Sequence, residues 1–204
     1  MRRSTVFAIA LSLGLTGEAL AQATGTPSFN APYRAFTRSE FGGVLSFPGY
    51  NAGTAVEGVY RFASGEFDVG LRGGLFFPDF GDTEFLIGAE GRYRVLTHNA
   101  DFPLDGAVIF GGGLQINNGT ALTIPVGLSL GRRLQVEGSQ VSIVPYVQPT
   151  LLIVNFDAGL GRRTDANFGL GIGGDFRLSQ RFDARLSIGV GDFAGIAIGA
   201  VWIH

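Results

Sequence analysis

The sequence predicts an all-β fold, a closed antiparallel up-and-down barrel of about ten strands, and two observations carry this prediction. The first is the alternation within residues 167–178, where bulky apolar side chains occupy every second position. Glycine, Asp175 and Arg177 occupy the positions between them. Successive side chains of a strand point to opposite faces, so one face of this segment is apolar and the other is small or charged. The second observation is that the same two-residue period recurs from Glu40 onward, in runs separated by Gly, Asn, Asp and Pro.

The alternating runs divide the chain after residue 39 into ten strands. They are expected at 40–47, 53–63, 66–77, 84–96, 103–116, 121–135, 140–155, 165–178, 181–191 and 193–203. The breaks contain residues that hairpin turns require, such as Ser64-Gly65, Asn117-Asn118-Gly119 and Gly138-Ser139. Sequence-based boundaries can shift by a few residues, and a count of eight strands is left open.

Three prolines lie inside expected strands, at positions 125, 145 and 149. A proline removes one backbone donor from the ladder, so it is normally confined to edges and bulges. If the chain turns near Gly138, Arg132 stands opposite Pro145. We therefore expect a bulge near Gly131-Arg132-Arg133.

The first 39 residues precede the barrel and fall into two parts. A positively charged start, an apolar run over residues 6–15 and the small-x-small motif Ala21-Gln22-Ala23 form the pattern of a secretory signal peptide. We expect residues 1–23 to be removed on export, with cleavage after Ala23 or after Ala21. Residues 24–39 are polar and contain two prolines. They are expected to form a flexible periplasmic leader before the barrel at 40–204.

Composition supports export to a membrane. The chain has no cysteine, so no disulfide holds it together. Its net charge of −2 argues against a nucleic-acid partner. Mean hydropathy is positive, at +0.27, yet no segment after the signal reaches the roughly 18 apolar residues of a membrane helix. An apolar chain without an apolar helix is typical of a transmembrane β-barrel.

The alternation also assigns charged residues to one face of the barrel wall. Because the other face is apolar, we expect the charges to line the lumen and the apolar side chains to face lipid. Six acids and seven arginines would then pair across neighbouring strands. The expected lumen network is Glu57, Arg61, Asp68, Arg72, Glu90, Arg92, Arg94, Asp105, Arg133, Asp175, Arg177, Asp183 and Arg185. The alternative interpretation is that these charged residues lie on the solvent-exposed face of a soluble sheet.

Aromatic residues of the apolar face lie near both sets of strand ends. One set is Phe41, Phe62, Phe67, Tyr93, Phe176, Phe182 and Trp202, and the other is Phe47, Phe77, Phe85 and Phe168. Two aromatic rows beside an aliphatic band are the arrangement that the two bilayer interfaces favour.

On these features the chain resembles the small outer-membrane β-barrel proteins of Gram-negative-type bacteria, the porin-like class that includes the OmpA-like transmembrane domain. The most specific match is the C-terminus, where the family's assembly signal has Gly, two residues, an aromatic, one residue and a terminal aromatic. Gly199, Trp202 and His204 occupy those positions, with His204 where the family has Phe or Trp. The resemblance implies location in the cell outer membrane, contact with its lipid, and recognition by the barrel assembly machinery and periplasmic chaperones. It leaves the oligomeric state unknown.

No residue pattern predicts catalysis, a metal site or a cofactor. After the signal, the only histidines are His98 and the terminal His204, and neither has a plausible nucleophile beside it. Residues 169–174 match G-x-G-x-x-G, but the strand alternation continues where a dinucleotide site needs a helix. Asp79, Asp82 and Glu84 share one hairpin and could bind a divalent cation, directly or between the protein and lipid phosphates, but solvated carboxylates are the preferred interpretation.

Three functional hypotheses follow. The preferred one is an outer-membrane barrel with a lumen filled by charged side chains, a structural or interaction role and no enzymatic activity. The second is a narrow pore for ions or small solutes through the same barrel. The third is a soluble periplasmic barrel, like a lipocalin, that encloses an apolar ligand.

Overall fold

Ten long antiparallel strands form a closed barrel in the computed structural model of the chain. It describes residues 23–32, 38–49, 52–139, 141–157 and 162–204. Residues 1–22 of the expected signal peptide and 33–37 of the expected leader lie outside this description. The strands are β1 Glu40–Pro48, β2 Gly53–Ser64, β3 Phe67–Pro78, β4 Glu84–Leu96, β5 Asp105–Ile116, β6 Thr120–Gly131, a short β7 Leu134–Gln135, β8 Ser142–Asp157, β9 Arg162–Arg177, β10 Phe182–Gly191 and β11 Gly195–Ile203.

Each long strand pairs antiparallel with its neighbours in the chain, and β1 closes the barrel against β11. The closing register runs from Glu40 opposite Ile203 to Pro48 opposite Gly195. The short β7 pairs with β8 beyond the end of β6. The predicted all-β class, closure and count of ten strands are confirmed. We call the end where β1 begins and β11 ends the terminal end, and the opposite end the far end.

The hairpin turns use glycine where the chain reverses most tightly. Gly65 has φ of +72° between β2 and β3, and Gly138 has φ of +71° between β7 and β8. An L-residue with a side chain adopts this left-handed conformation at a steric cost that glycine avoids.

Proline explains why the expected sixth strand is divided. Pairing of β6 with β8 stops after Gly131 opposite Tyr146 and resumes with β7 at Leu134 opposite Ile143. The register is the same on both sides, and it sets Arg132 opposite Pro145, which has no N–H to donate. A second gap falls where Leu128 would face Pro149. The ladder is therefore interrupted in register, and the interruption replaces the bulge expected near Gly131-Arg132-Arg133.

Residues 23–32 run through the lumen. Ala23, Thr24, Thr26, Phe29 and Ala31 are each no more than 2% exposed. We call this the luminal segment. Within the leader expected over 24–39, residues 24–32 pack against the inner wall. Glycines of the wall make room for it. A Cβ at Gly171 would overlap the Phe29 ring, and one at Gly88 would lie 3.0 Å from the Ala23 Cβ.

An apolar cluster fills another part of the lumen. Phe29 of the luminal segment and Phe193 of the β10–β11 hairpin pack with inward-facing residues of β8, namely Val144, Tyr146, Leu152 and Val154. Phe193 is fully buried and lies against Gly169 and Gly189. The luminal glycines therefore leave space for these two phenylalanines.

Gly171→Leu should destabilise the folded barrel, because the new side chain occupies the position of the Phe29 ring. Overpacking of this kind costs about 1–3 kcal/mol of unfolding free energy. The matched control is Gly58→Leu, since Gly58 is exposed and a Cβ there meets only the Gly73 carbonyl oxygen, at 3.8 Å. Urea unfolding of the detergent-folded protein measures both changes. Equal midpoints for the two variants would contradict the position of Phe29.

Candidate functional site in the lumen

The structure places twelve of the thirteen predicted network residues on the inner face of the wall. Ten are buried: Glu57, Arg61, Asp68, Arg72, Glu90, Arg92, Asp105, Asp175, Asp183 and Arg185. Arg94 and Arg177 are partly buried. Arg133 is different, because it is exposed and lies in the break between β6 and β7. The interruption opposite Pro145 ends the strand alternation on which its luminal assignment depended.

Asp68 is a centre of the network. Arg61 Nη1 donates to Asp68 Oδ1 at 2.6 Å, and Arg92 Nε donates to Oδ2 at 2.9 Å. The β3–β4 register sets Asp68 directly opposite Arg92, and Arg61 reaches Asp68 diagonally from β2. Each contact therefore follows from strand pairing, and the buried carboxylate faces two guanidinium groups.

Glu40 joins the two sides of the network across the closing strands. Arg185 Nη2 donates to Glu40 Oε2 at 2.7 Å, and Arg61 Nε lies 3.8 Å from Glu40 Oε1. Arg185 also lies 3.4 Å from Asp175, its register partner in β9. The sequence analysis missed Glu40. The alternation could have found it, because Phe41 and Leu45 face outward and Glu40 has the opposite parity.

Continuity of these ion pairs makes the network a belt around much of the inner wall. From β9 to β4 it runs through Asp175, Arg185, Glu40 and Arg61, and Arg61 also contacts Glu90. β11 lies between β10 and β1 and contributes Gly199 at this level. A Cβ at Gly199 would lie 3.5 Å from the Cβ of Arg185, so glycine leaves the path between Arg185 and Glu40 open.

Other pairs lie outside this belt. Arg72 Nε lies 3.2 Å from Glu57 Oε1. Near the terminal end, Arg177 binds Asp183 through two donors, at 2.8 and 3.0 Å. His98 Nδ1 lies 3.0 Å from Asp105 at the same end. Glu57 is distinguished by what else it binds, which is the luminal segment.

Hydrogen bonds attach the luminal segment to six strands of the wall. Thr24 and Thr26 donate to the two oxygens of Glu57, at 2.6 and 2.7 Å. Asn30 Nδ2 donates to Glu90 Oε1 at 3.1 Å, and Arg92 Nη1 donates to the Ala31 carbonyl at 2.5 Å. The remaining wall partners are Gln115, Thr123, Ser129, Gln148 and Ser187. Sequence analysis missed the polar partners that carry no charge.

Little space remains between the network and the luminal segment. A cavity of about 20 Å³ is lined by Asn30 and Phe29 on one side and by Arg61, Arg72 and Arg185 on the other. This volume is enough for about one water molecule. Where it lies, the interior is a packed mixture of charged and neutral groups.

The predicted C-terminal assembly residues lie on the last strand. Trp202 is half exposed on the outer face and stacks edge-on with Phe182, with ring centroids 4.7 Å apart. The His204 ring is 5.9 Å from Phe41 and from Tyr60. The register places Tyr60, Phe41, Trp202 and Phe182 side by side on four neighbouring strands. These side chains form a continuous aromatic row at the terminal end.

Two further observations concern the described residues alone. Within them, no helix is long and apolar enough to cross a membrane. Over the same ranges, no three His, Cys, Asp or Glu residues are grouped so as to hold a metal ion.

The search of protein-family models gives no match for this chain, and the search of curated proteins gives none either.

Asp68→Asn should strongly destabilise the barrel, because it leaves Arg61 and Arg92 without their shared countercharge. Removing one partner of a buried ion pair costs about 3–5 kcal/mol. The matched control is Asp165→Asn on β9, whose pair with Arg163 at 2.9 Å is exposed and is worth about 1 kcal/mol or less. Urea unfolding in detergent measures both. A loss for Asp68→Asn no larger than the control's would contradict the central role of Asp68.

Proposed function

We propose that the protein is an integral outer-membrane β-barrel with a structural or interaction role and no enzymatic activity. The observation that carries this proposal is the distribution of side chains across the wall. Charged groups are buried inside, and apolar groups are exposed outside. In a soluble protein the distribution is the reverse, since Asp, Glu and Arg are seldom fully buried.

The outer face is too apolar for water. Among the described residues, 35 large apolar side chains are exposed, most of them on the strands. Soluble monomers rarely expose a contiguous apolar patch of more than a few hundred Å². On this barrel such side chains recur on every long strand, at Val56 of β2, Leu71 of β3, Ile188 of β10 and Ile198 of β11, for example. A hydrocarbon environment is the simplest explanation for an outer apolar surface of this kind.

Strand dimensions and aromatic positions support the same environment. The ten long strands have 9–16 residues, and a tilted strand needs about 9–11 to cross the hydrocarbon core. Single-chain bacterial barrels have an even number of strands. The row formed by Tyr60, Phe41, Trp202 and Phe182 lies at the terminal end, and Phe47, Phe77, Phe85 and Phe168 lie toward the far end. These two levels fit the two bilayer interfaces.

Two sequence features support the proposed compartment. The signal-peptide pattern of residues 1–23 supports export, and Gly199, Trp202 and His204 support recognition by the barrel assembly machinery after periplasmic chaperones have carried the chain. The barrel strands begin and finish at the terminal end. In this proposal the terminal end therefore faces the periplasm.

The contents of the lumen favour a non-conducting membrane barrel over a pore and over a soluble ligand-binding barrel. A pore needs a continuous water path, but the luminal segment and Phe193 occupy the interior. An apolar ligand needs an apolar cavity, but the inner wall carries a belt of carboxylates and guanidinium groups. A filled, cross-linked interior supports a structural or interaction role.

The experiment that tests the proposal is gel migration of membrane-extracted protein with and without boiling. A closed barrel should resist detergent unfolding and migrate differently before and after heating. Extraction in carbonate buffer without detergent is the companion measurement. Release into the buffer without detergent would overturn the membrane assignment.

Leu186→Arg should impair membrane insertion, because Leu186 faces outward in the middle of β10, paired with Ile198. An arginine at mid-bilayer on the lipid face costs roughly 2–4 kcal/mol. The control is Phe80→Arg, since Phe80 lies in the β3–β4 hairpin at the far end and is 88% exposed. Refolding yield into lipid vesicles measures both. Equal yields for the two variants would contradict a hydrocarbon belt at Leu186.

A further inference from the structure

We propose that export cleavage after Ala23 leaves the new amino terminus inside the barrel, beside Glu57, so that residues 24–32 form a built-in plug. This inference rests on the proposed function, which supplies the cleavage. Hydrolysis of the Ala23–Thr24 peptide bond by a signal peptidase consumes one water. It gives Ala23 a carboxylate and Thr24 an α-ammonium group.

The luminal segment runs from the far-end half of the lumen to the terminal end. Ala23 lies toward the far end, where its carbonyl accepts from Thr123 of β6 and packs against Gly113 of β5. Asn30 lies deeper, bound to Glu90 of β4 and Ser129 of β6. Pro32 lies against Gly131, at the terminal end where β1 begins. Residues 24–32 therefore lie across the path that a pore would require.

The proposed cleavage point lies in the far-end half of the lumen. Thr24 would be the first residue of the exported chain, and it is fully buried. Its hydroxyl donates to Glu57 at 2.6 Å, and its backbone nitrogen is three bonds from that hydroxyl oxygen. Cleavage therefore creates a positive charge close to a buried carboxylate, with which it can pair.

Charge balance in the inner wall favours this added cation. Over the described residues the buried carboxylates number seven: Glu40, Glu57, Asp68, Glu90, Asp105, Asp175 and Asp183. The buried arginines number four, Arg61, Arg72, Arg92 and Arg185, and Arg94 and Arg177 are partly buried. Seven buried carboxylates thus face four buried arginines, and the carboxylates remain in excess when the partly buried residues of both kinds are added. An uncompensated buried charge is costly, so an α-ammonium at Thr24 stabilises the assembly.

The wall beneath the plug is polar. Glu57, Glu90, Ser129, Gln148 and Ser187 all turn polar atoms toward residues 24–32. Without the segment, these groups would be hydrated and would line a water-filled path. The plug is therefore expected to prevent conduction through the lumen.

The first experiment uses the absence of lysine. Because the chain contains none, the α-amino group is its only aliphatic primary amine. The purified, detergent-folded protein is treated with a small amine-reactive ester before and after heat unfolding, and the product is analysed by mass spectrometry. We expect the folded form to be labelled at least roughly tenfold more slowly than the unfolded form, because reaction requires local opening of the segment. Thr97→Lys, at an exposed position in the β4–β5 loop, is the internal control for reagent access.

The mass of the purified protein, together with the labelling rates, tests the export assignment separately from the plug. A chain that still begins at Met1 would overturn the export assignment itself. A chain that begins at a residue other than Thr24 would overturn the proposed terminus. A chain that begins at Thr24 and is labelled equally fast folded and unfolded would overturn the plug while the membrane assignment stands.

The second experiment links the plug to the wall. An ideal Cβ at Gly88 lies 3.1 Å from Thr24 Cγ2, and a disulfide sets a Cβ about 3 Å from the partner sulfur. The double variant Thr24→Cys/Gly88→Cys should therefore form a disulfide on air oxidation. No native cysteine competes. Thr24→Cys/Gly58→Cys is the control, since Gly58 is exposed and should remain unlinked. Failure of the Gly88 variant to link would overturn the proposal.

Conductance tests the consequence. Deletion of residues 25–32 keeps Thr24 after the cleavage motif and removes the rest of the segment from the lumen. In planar bilayers the deleted barrel should give stable channel steps, and the complete chain should give none. If the complete chain conducts as often as the deletion variant, the segment is not a plug. If the deletion variant does not fold, the labelling and disulfide results decide.

Discussion

Inward-facing charges must be neutralised by partners on other strands, and this requirement organises the barrel. Side chains two residues apart on one strand share a face, but the shortest ion pairs here join different strands, as between Asp68 and Arg92. The pairs form only if the register is correct to the residue, since a slip by one position would turn every charge toward the outside. The network therefore contributes to specificity of pairing as well as to stability, and β1 and β11 close beside it.

Volume is the second constraint, and glycine connects it to the first. A ten-stranded wall encloses more space than the ion-paired side chains fill. Gly171 on the inner face leaves space for Phe29, and Gly169 and Gly189 leave space for Phe193. Other inward-facing glycines, Gly70 and Gly199, lie beside the Arg61 and Arg185 side chains. The interior is consequently packed, although it contains charged and polar groups as well as apolar ones.

The two-residue period was sufficient to predict the wall but not its contents. Strand order, closure and the inward direction of Asp68 or Arg185 follow from parity alone. Parity stops at the end of a strand, which is why Arg133 was misplaced beyond the interruption opposite Pro145. Residues 24–32 have no alternation to reveal where they lie. Their burial depends on hydrogen bonds to residues as distant as Gln148 and Ser187, and no local pattern encodes such contacts.

The long sequence separation of these contacts determines the order in which the molecule can be built. Ser187 is 160 residues from Pro27, whose carbonyl it binds, and it belongs to the second-to-last strand. The complete binding surface of residues 24–32 exists only once β10 has joined the wall, because Ser187 belongs to that strand. The segment therefore cannot complete its native contacts before the wall is assembled.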